Sequence, residues 1–123
     1  MIKNNLRKIS DLIRNKNIEA LLINNPSDLF YISGSEVTGY LLLIFQDGVR
    51  VISSPLLYGQ MKKIFAGYPV MLSKDPAEEI KKAVSLNGKI KKIAIDPASV
   101  TLQFYKRLLK GLGKQAVRQI PGI

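Results

Sequence analysis

The chain has 123 residues, of which 46% are hydrophobic, enough to bury one core without disulfide or metal staples. It contains no Cys and no His, which excludes a disulfide framework, a thiol nucleophile, a Ser-His-Asp triad and any zinc site built on those ligands. Against 9 Asp and Glu stand 19 Lys and Arg, a net charge of +10 that raises the question of nucleic acid.

The first expected element is a helix over 4–16, because Leu6, Ile9, Leu12 and Ile13 recur at helical spacing. Asn4 or Asn5 caps its start and Asn15-Lys16-Asn17 ends it. Ile18 to Ile23 reads as a short buried strand bounded by Asn24-Asn25-Pro26. Pro26-Ser27-Asp28 then opens a helical turn carrying Leu29 to Ile32, which Gly34 closes. Residues 40–45 and 49–53 are the clearest strands, joined as an antiparallel hairpin through Gln46-Asp47-Gly48. The run Tyr40–Phe45 is also the longest apolar stretch, far short of the roughly 20 residues of a membrane span.

Ser54-Pro55 predicts a second full helix, with Ser54 as cap, an apolar stripe of Leu57, Met61, Ile64 and Phe65, and Gly67 at its end. Pro69 to Leu72 is a short strand. Asp75-Pro76-Ala77-Glu78 starts a further helix with Ile80, Ala83 and Val84 inward, a Glu78–Lys82 pair outward and a stop at Asn87-Gly88. Ile93–Ile95 is another strand. Asp96-Pro97-Ala98-Ser99 leads into a last helix with Leu102, Tyr105, Leu108, Leu109 and Leu112 on its core side, terminated by Gly111 and Gly113. Ala116-Val117 adds an edge strand. Strands alternating with helices late in the chain require parallel crossovers, while the early hairpin adds one antiparallel strand. The expected fold is therefore a mixed, mostly parallel α/β sheet with helices on both faces, spanning 1–123 as one domain.

Few residues suggest chemistry. Asp47 makes a turn, Asp75 caps a helix, and Glu78 and Glu79 suit that helix's positive end. Asp96 fits a turn or cap, and also the strand-end position where α/β sheets place functional groups. The loop Gly34-Ser35-Glu36-Val37-Thr38-Gly39 reads as a flexible connection or a binding loop. It lacks the lysine of a phosphate loop and the dinucleotide fingerprint. Most aromatics fall in apolar stripes and are assigned to the core. From Lys89 to Arg118 there are eight basic residues and one acid, Asp96. This is a Lys-rich solvated surface or a face for an acidic partner, and only Tyr105-Lys106-Arg107 interleaves an aromatic as a nucleic-acid platform does.

Leu6-Arg7, followed by Ile18-Glu19-Ala20-Leu21-Leu22-Ile23-Asn24-Asn25-Pro26 and Tyr31-Ile32-Ser33-Gly34, resembles the opening of Xaa-Pro aminopeptidases, prolidases and creatinase. Gly39–Ile44, Asp47-Gly48, Tyr58-Gly59-Gln60-Met61 and Ile93-Ala94-Ile95-Asp96 continue the match in order. The resemblance is to the N-terminal domain of that family, with ribonuclease-H-like topology. It implies a separate pita-bread catalytic domain, outside these 123 residues, that binds two divalent ions (manganese, cobalt or zinc) through two Asp, one His and two Glu. No cofactor and no peptide hydrolysis are then expected of this chain alone. Two departures stand out: Ser54-Pro55-Leu56-Leu57 replaces a frequent Asp-x-Arg-Tyr, and Ser35 replaces a frequent Phe.

What the resemblance implies is a non-catalytic role: dimerisation, docking to the catalytic metal domain of the same polypeptide, and shaping the entry of a proline-containing peptide. Gly34, Ser35, Glu36 and Tyr58 become candidates for an active-site rim, and Lys106, Arg107 and Lys110 for a docking face. A cytoplasmic location, no membrane and no nucleic acid are expected. The alternatives are a stand-alone binding module, with nucleic acid on its basic face, and a pseudoenzyme scaffold.

Overall fold

The computed structural model describes residues 2–86, 92–96, 99–112 and 117–119. Its central fact is visible in the strand β1 (Ala20–Ile23), all four residues of which are buried. Successive side chains of a strand point to opposite faces, so a strand buried throughout must be covered on both. Leu21 and Ile23 enter one core, Ala20 and Leu22 the other. The same division runs through β2 (Tyr40–Phe45), with Tyr40, Leu42 and Ile44 on the first face and Leu43 and Phe45 on the second.

The first face is covered by α1 (Ile2–Asn15), α2 (Pro26–Ser33) and α3 (Tyr58–Ile64), through Leu6, Ile13, Leu29, Ile32 and Met61. On the second lie α4 (Pro76–Leu86) and α5 (Leu102–Leu112), through Ile80, Ala83 and Leu108. Each fully buried Leu, Ile or Met stabilises the fold by about 1.5–3 kcal/mol relative to exposure, so the two layers supply the main driving force.

The remaining strands are β3 (Gly48–Ser53), β4 (Val70–Leu72), β5 (Ile93–Ile95) and β6 (Val117–Gln119). They form one sheet in the order β4-β3-β2-β1-β5-β6. The pairs β1–β2 and β2–β3 are antiparallel, while β3–β4, β1–β5 and β5–β6 are parallel. Only β2 therefore runs against the others, and the mixed, mostly parallel sheet with helices on both faces is as the sequence predicts.

Local signals explain most boundaries. Helix α1 ends in a Schellman arrangement: Ile18 N donates to Ile13 O at 2.8 Å, Asn17 N donates to Arg14 O at 3.1 Å, and Asn17 takes φ 57°. The accompanying apolar contact is Ile18 with Ile13, both buried in one cluster. This turn uses Ile18, so β1 begins at Ala20 rather than at Ile18. In the hairpin Phe45 pairs with Gly48, leaving a two-residue turn, Gln46-Asp47. Gln46 Nε2 donates to Ile18 O at 2.9 Å, which ties the turn to the end of α1.

Several expectations are corrected. Ser54 and Pro55 do not start α3. Instead Leu57 N donates to Ser54 O at 3.2 Å in a turn, and the helix begins at Tyr58 with no side-chain cap. Its start is set by Met61 and Phe65, four apart and both buried, rather than by the Ser-Pro signature. Gly111 does not end α5, which continues to Leu112. Leu102 is 67% exposed and belongs to no core; Phe30 and Tyr31, 50% and 56% exposed, also stand outside it. Glu78 and Lys82 form no ion pair; among the described residues the ion pairs are Asp11–Arg14 and Asp75–Arg107. The Asn87-Gly88 stop, Gly113, Pro97, Ala116, Lys89, Lys91 and Lys114 lie outside the described residues. Among those residues, no helix is long and apolar enough to cross a membrane.

Candidate functional site

The two parallel neighbours β1 and β5 leave the sheet in opposite senses. After β1 the chain enters α2 on the first face and returns as β2; after β5 it enters α5 on the second face and returns as β6 on the other side. Where connections from adjacent parallel strands diverge, a crevice opens at their carboxyl ends, and α/β sheets bind ligands there. Such a crevice is present, with a cavity of ≈ 160 Å³. Apolar side chains that include Ile9, Leu21, Ile23 and Ile32 form its walls, and Asn24, Asn25, Asp28, Tyr31, Asp96 and Ser99 bring polar groups to it.

The rim is built by two strand-end segments. Asn24 Nδ2 donates to Ser99 O at 2.8 Å, and Asn25 Nδ2 to Ser99 Oγ at 3.3 Å. The Ser99 hydroxyl donates in turn to Asp96 Oδ2 at 3.1 Å. Asn25 also caps α2: it has extended φ −69° and ψ 127°, and its Oδ1 accepts from Ser27 N at 2.8 Å. Pro26 occupies the first helical position, and Gly34 closes the helix at φ 72°, donating its N–H to Phe30 O. One short motif therefore ends a strand, starts a helix and clasps the segment after β5. Asp28, in the first turn of α2, has its carboxyl pushed above the ordinary range, first by burial and then by the charge of Asp96.

The sequence-predicted rim lies elsewhere, after α2. Gly34 and Glu36 are exposed and Ser35 is half-buried. Ser33 Oγ, which donates to Leu29 O, accepts from Ser35 N at 3.0 Å and so fixes the start of the loop. At its far end Gly39, with φ 94°, lies against Leu57: a Cβ there would stand 3.3 Å from Leu57 Cδ1. The loop thus abuts the residue before Tyr58, whose ring carries Lys62 Nζ at 5.3 Å from its centre. No hydrogen bond or ion pair among the described residues joins Glu36 to Tyr58.

Lys106, Arg107 and Lys110 are all exposed on α5. Arg107 is bound within the chain, its guanidinium donating to Asp75 Oδ2 at the start of α4. Lys106 and Lys110 remain as the outward charges of that group. The residues the sequence left unassigned are Asn24, Asn25, Asp28 and Ser99. They read as strand and helix boundaries, and only the pairing of β1 with β5 shows that they share a rim.

No group of three or more His, Cys, Asp or Glu among the described residues is placed to hold a metal ion.

The family model of the creatinase/prolidase N-terminal domain matches residues 5–123. No curated protein matches in sequence. Among solved structures, the chain is similar to an Xaa-Pro aminopeptidase from Streptococcus pyogenes, with 18% identity over 98% of this chain and 92% of that one and a TM-score of 0.87. An Xaa-Pro dipeptidase from Bacillus anthracis shares 17% identity over 99% of this chain but only 34% of its own length, with a TM-score of 0.85. The N-terminal domain of the cytoplasmic peptidase PepQ from Mycobacterium tuberculosis H37Rv shares 16% identity over 97% and 92% of the two chains, with a TM-score of 0.80.

Proposed function

The chain belongs to the creatinase/prolidase N-terminal domain family, and from that premise we propose that it is the non-catalytic domain of an Xaa-Pro aminopeptidase- or prolidase-like metallopeptidase. The observation that carries the reading is a family match running from residue 5 to residue 123, together with a fold that makes up about a third of the Bacillus dipeptidase. The chemistry would reside in a second domain of the same polypeptide, on two divalent ions, with a proline-containing peptide as substrate. This domain supports dimerisation and narrows the approach to that site. A cytoplasmic location goes with the reading, as printed for the PepQ relative.

Within it, Gly34, Ser35, Glu36 and Tyr58 form the rim that meets the substrate, and Lys106 and Lys110 the docking face. A loop fixed at both ends, by Ser33 and by Leu57, suits a rim because its exposed middle is held in place at little entropic cost. Arg107 contributes less to docking, because it is already paired with Asp75.

Three experiments test this. The reading frame beyond the codon for Ile123 is sequenced; two Asp, one His and two Glu at metal-site spacing are expected, and a frame without them overturns the peptidase assignment. In the full-length protein, the 34–39 loop is then shortened and hydrolysis of proline-containing peptides of increasing length is compared. The preference among them changes if the loop is the rim; identical preferences remove it from that role. Charge reversal at Lys106 and Lys110 weakens domain or subunit association, and unchanged association removes the docking face.

A further inference from the structure

We propose that the outer edge of β4 takes up an extended acidic peptide as a seventh strand of the sheet. This surface is separate from the 34–39 loop and from the lysines of α5, and the reading of the chain as a peptidase domain does not require it.

β4 ends the strand order, with β3 on one side and no strand on the other. In a parallel pair, alternate residues of a strand turn their main-chain groups to the same neighbour. Val51 N donates to Pro69 O and Ser73 N to Ser53 O, both at 2.9 Å, and the register sets Ile52 beside Met71. Pro69, Met71 and Ser73 therefore face β3, while the N–H and C=O of Val70 and Leu72 face outward. No hydrogen bond among the described residues takes these four groups. Proline commonly guards such an edge. Here Pro69 lacks its N–H on the inner side, where β3 lies, so the outer side stays open.

Apolar side chains mark the same edge. Val70 packs against the first core, so Leu72, two residues on, points to that face as well. Leu72 is nonetheless 52% exposed, and Leu56, three residues past its partner Ser53, is 91% exposed. A strand laid along β4 covers Leu72 while its backbone extends the ladder.

Charge selects the partner. Between Asp47 and Asp75 the sequence holds no Asp or Glu and four cations, Arg50, Lys62, Lys63 and Lys74. β4 lies within that stretch, as do β3, which pairs with it, and α3, which packs on it. No ion pair among the described residues engages any of the four. The bounding acids do not offset them. Asp75 is paired with Arg107, and Asp47 lies before β3, beyond the roughly 10 Å of strand that separates Gly48 from Val51. Glu78 and Glu79 stand on α4, which covers the second face. A second copy of the chain would bring the same cations to the same edge and is repelled, whereas a strand carrying carboxylates is attracted.

The test uses the 123-residue chain in solution; the N-terminal domain of the PepQ relative crystallises by itself. An acetylated and amidated pentapeptide, Glu-Val-Thr-Val-Glu, is titrated at millimolar concentration while backbone amide resonances are followed by NMR. Saturable shifts are expected at Val70 and Leu72. The analogue Lys-Val-Thr-Val-Lys binds roughly threefold or more weakly, a difference that shrinks as salt rises. Leu72→Pro removes one outward N–H and leaves the ladder to β3 whole, so it weakens the acidic peptide by about fivefold. The proposal is overturned if the acidic peptide gives no saturable shift, or if its shifts gather on another surface such as α5. It is also overturned if the lysine peptide binds equally well, or if Leu72→Pro binds as tightly as the unsubstituted chain. Shifts at Val70 and Leu72 on raising the protein concentration alone give the edge to a second copy and overturn it too. The peptide pair decides the matter even if the variant fails to fold. None of these outcomes depends on whether the full-length protein cleaves peptides.

Discussion

Asn25 does two jobs, and its replacement separates them. Asn25→Ala removes the Oδ1 that accepts from Ser27 N at 2.8 Å, and the Nδ2 that donates to Ser99 Oγ at 3.3 Å. Loss of an N-cap costs about 1 kcal/mol. The second bond is long and half-buried, so it contributes toward the lower end of the usual range, about 0.5 kcal/mol. The expected total is about 1.5 kcal/mol. Unfolding entropy of roughly 2.1 cal/mol/K per residue makes each kcal/mol worth about 4 °C in a chain of this length, so Tm falls by about 6 °C.

Asn25→Asp keeps a cap acceptor and adds a charge that suits the helix N-terminus. It loses the donor to Ser99 and places a third carboxylate on a rim that already holds Asp28 and Asp96. It should therefore lie between the wild type and the alanine variant. Urea unfolding followed by circular dichroism measures both. If the alanine variant lies within about 0.5 kcal/mol of wild type, or if the two variants are equally destabilised, the argument that the cap acceptor holds this junction fails.

Two further outcomes follow from the same packing. Asp28 binds its proton more tightly in the folded state than its ordinary value of 3.8, so its contribution favours folding below 3.8 and is lost as pH rises through the folded value. Asp28→Asn should then raise stability at neutral pH relative to wild type, with the difference shrinking below pH 3.8; a difference that does not change with pH refutes the shift. The hydroxyl of Tyr40 is buried beside Ser33 without a well-formed hydrogen bond, while its ring packs edge-on to Phe65 at 5.6 Å. Tyr40→Phe keeps that ring contact and removes the unmatched group, so stability should rise by about 1 kcal/mol in thermal unfolding, whereas a loss of that size shows that the hydroxyl is satisfied.

How much of this was legible in the sequence depends on how far each signal reaches. Asn25-Pro26 and Gly34 mark α2 correctly because a cap, a fixed φ and a left-handed residue are properties of the local backbone. The unbroken apolar runs of β1 and β2 likewise report two covered faces without naming what covers them. Ser54-Pro55 carries the same local signature as Asn25-Pro26 and yet begins no helix. There the carbonyl of Ser54 accepts both the Ser53 hydroxyl and Leu57 N, and the helix waits until Met61 and Phe65 meet the sheet. Packing overrides propensity where a helix is only seven residues long and has little intrinsic stability of its own.

The crevice was hidden for a different reason. Asn24 and Ser99 are 75 residues apart, and each half of the rim is a complete local instruction: end a strand, turn, start a helix. Nothing in either half says that β1 and β5 are neighbours. That follows from the order β4-β3-β2-β1-β5-β6, in which the fourth helix carries the chain from the β4 edge across the sheet to the far side of β1. Polar residues must stand where buried strands stop, because the backbone there needs partners or water. When two such stops fall side by side and their chains depart to opposite faces, the same polar residues become the lining of a cavity. The composition of the crevice was thus present in the sequence as punctuation, and adjacency alone turned it into a site.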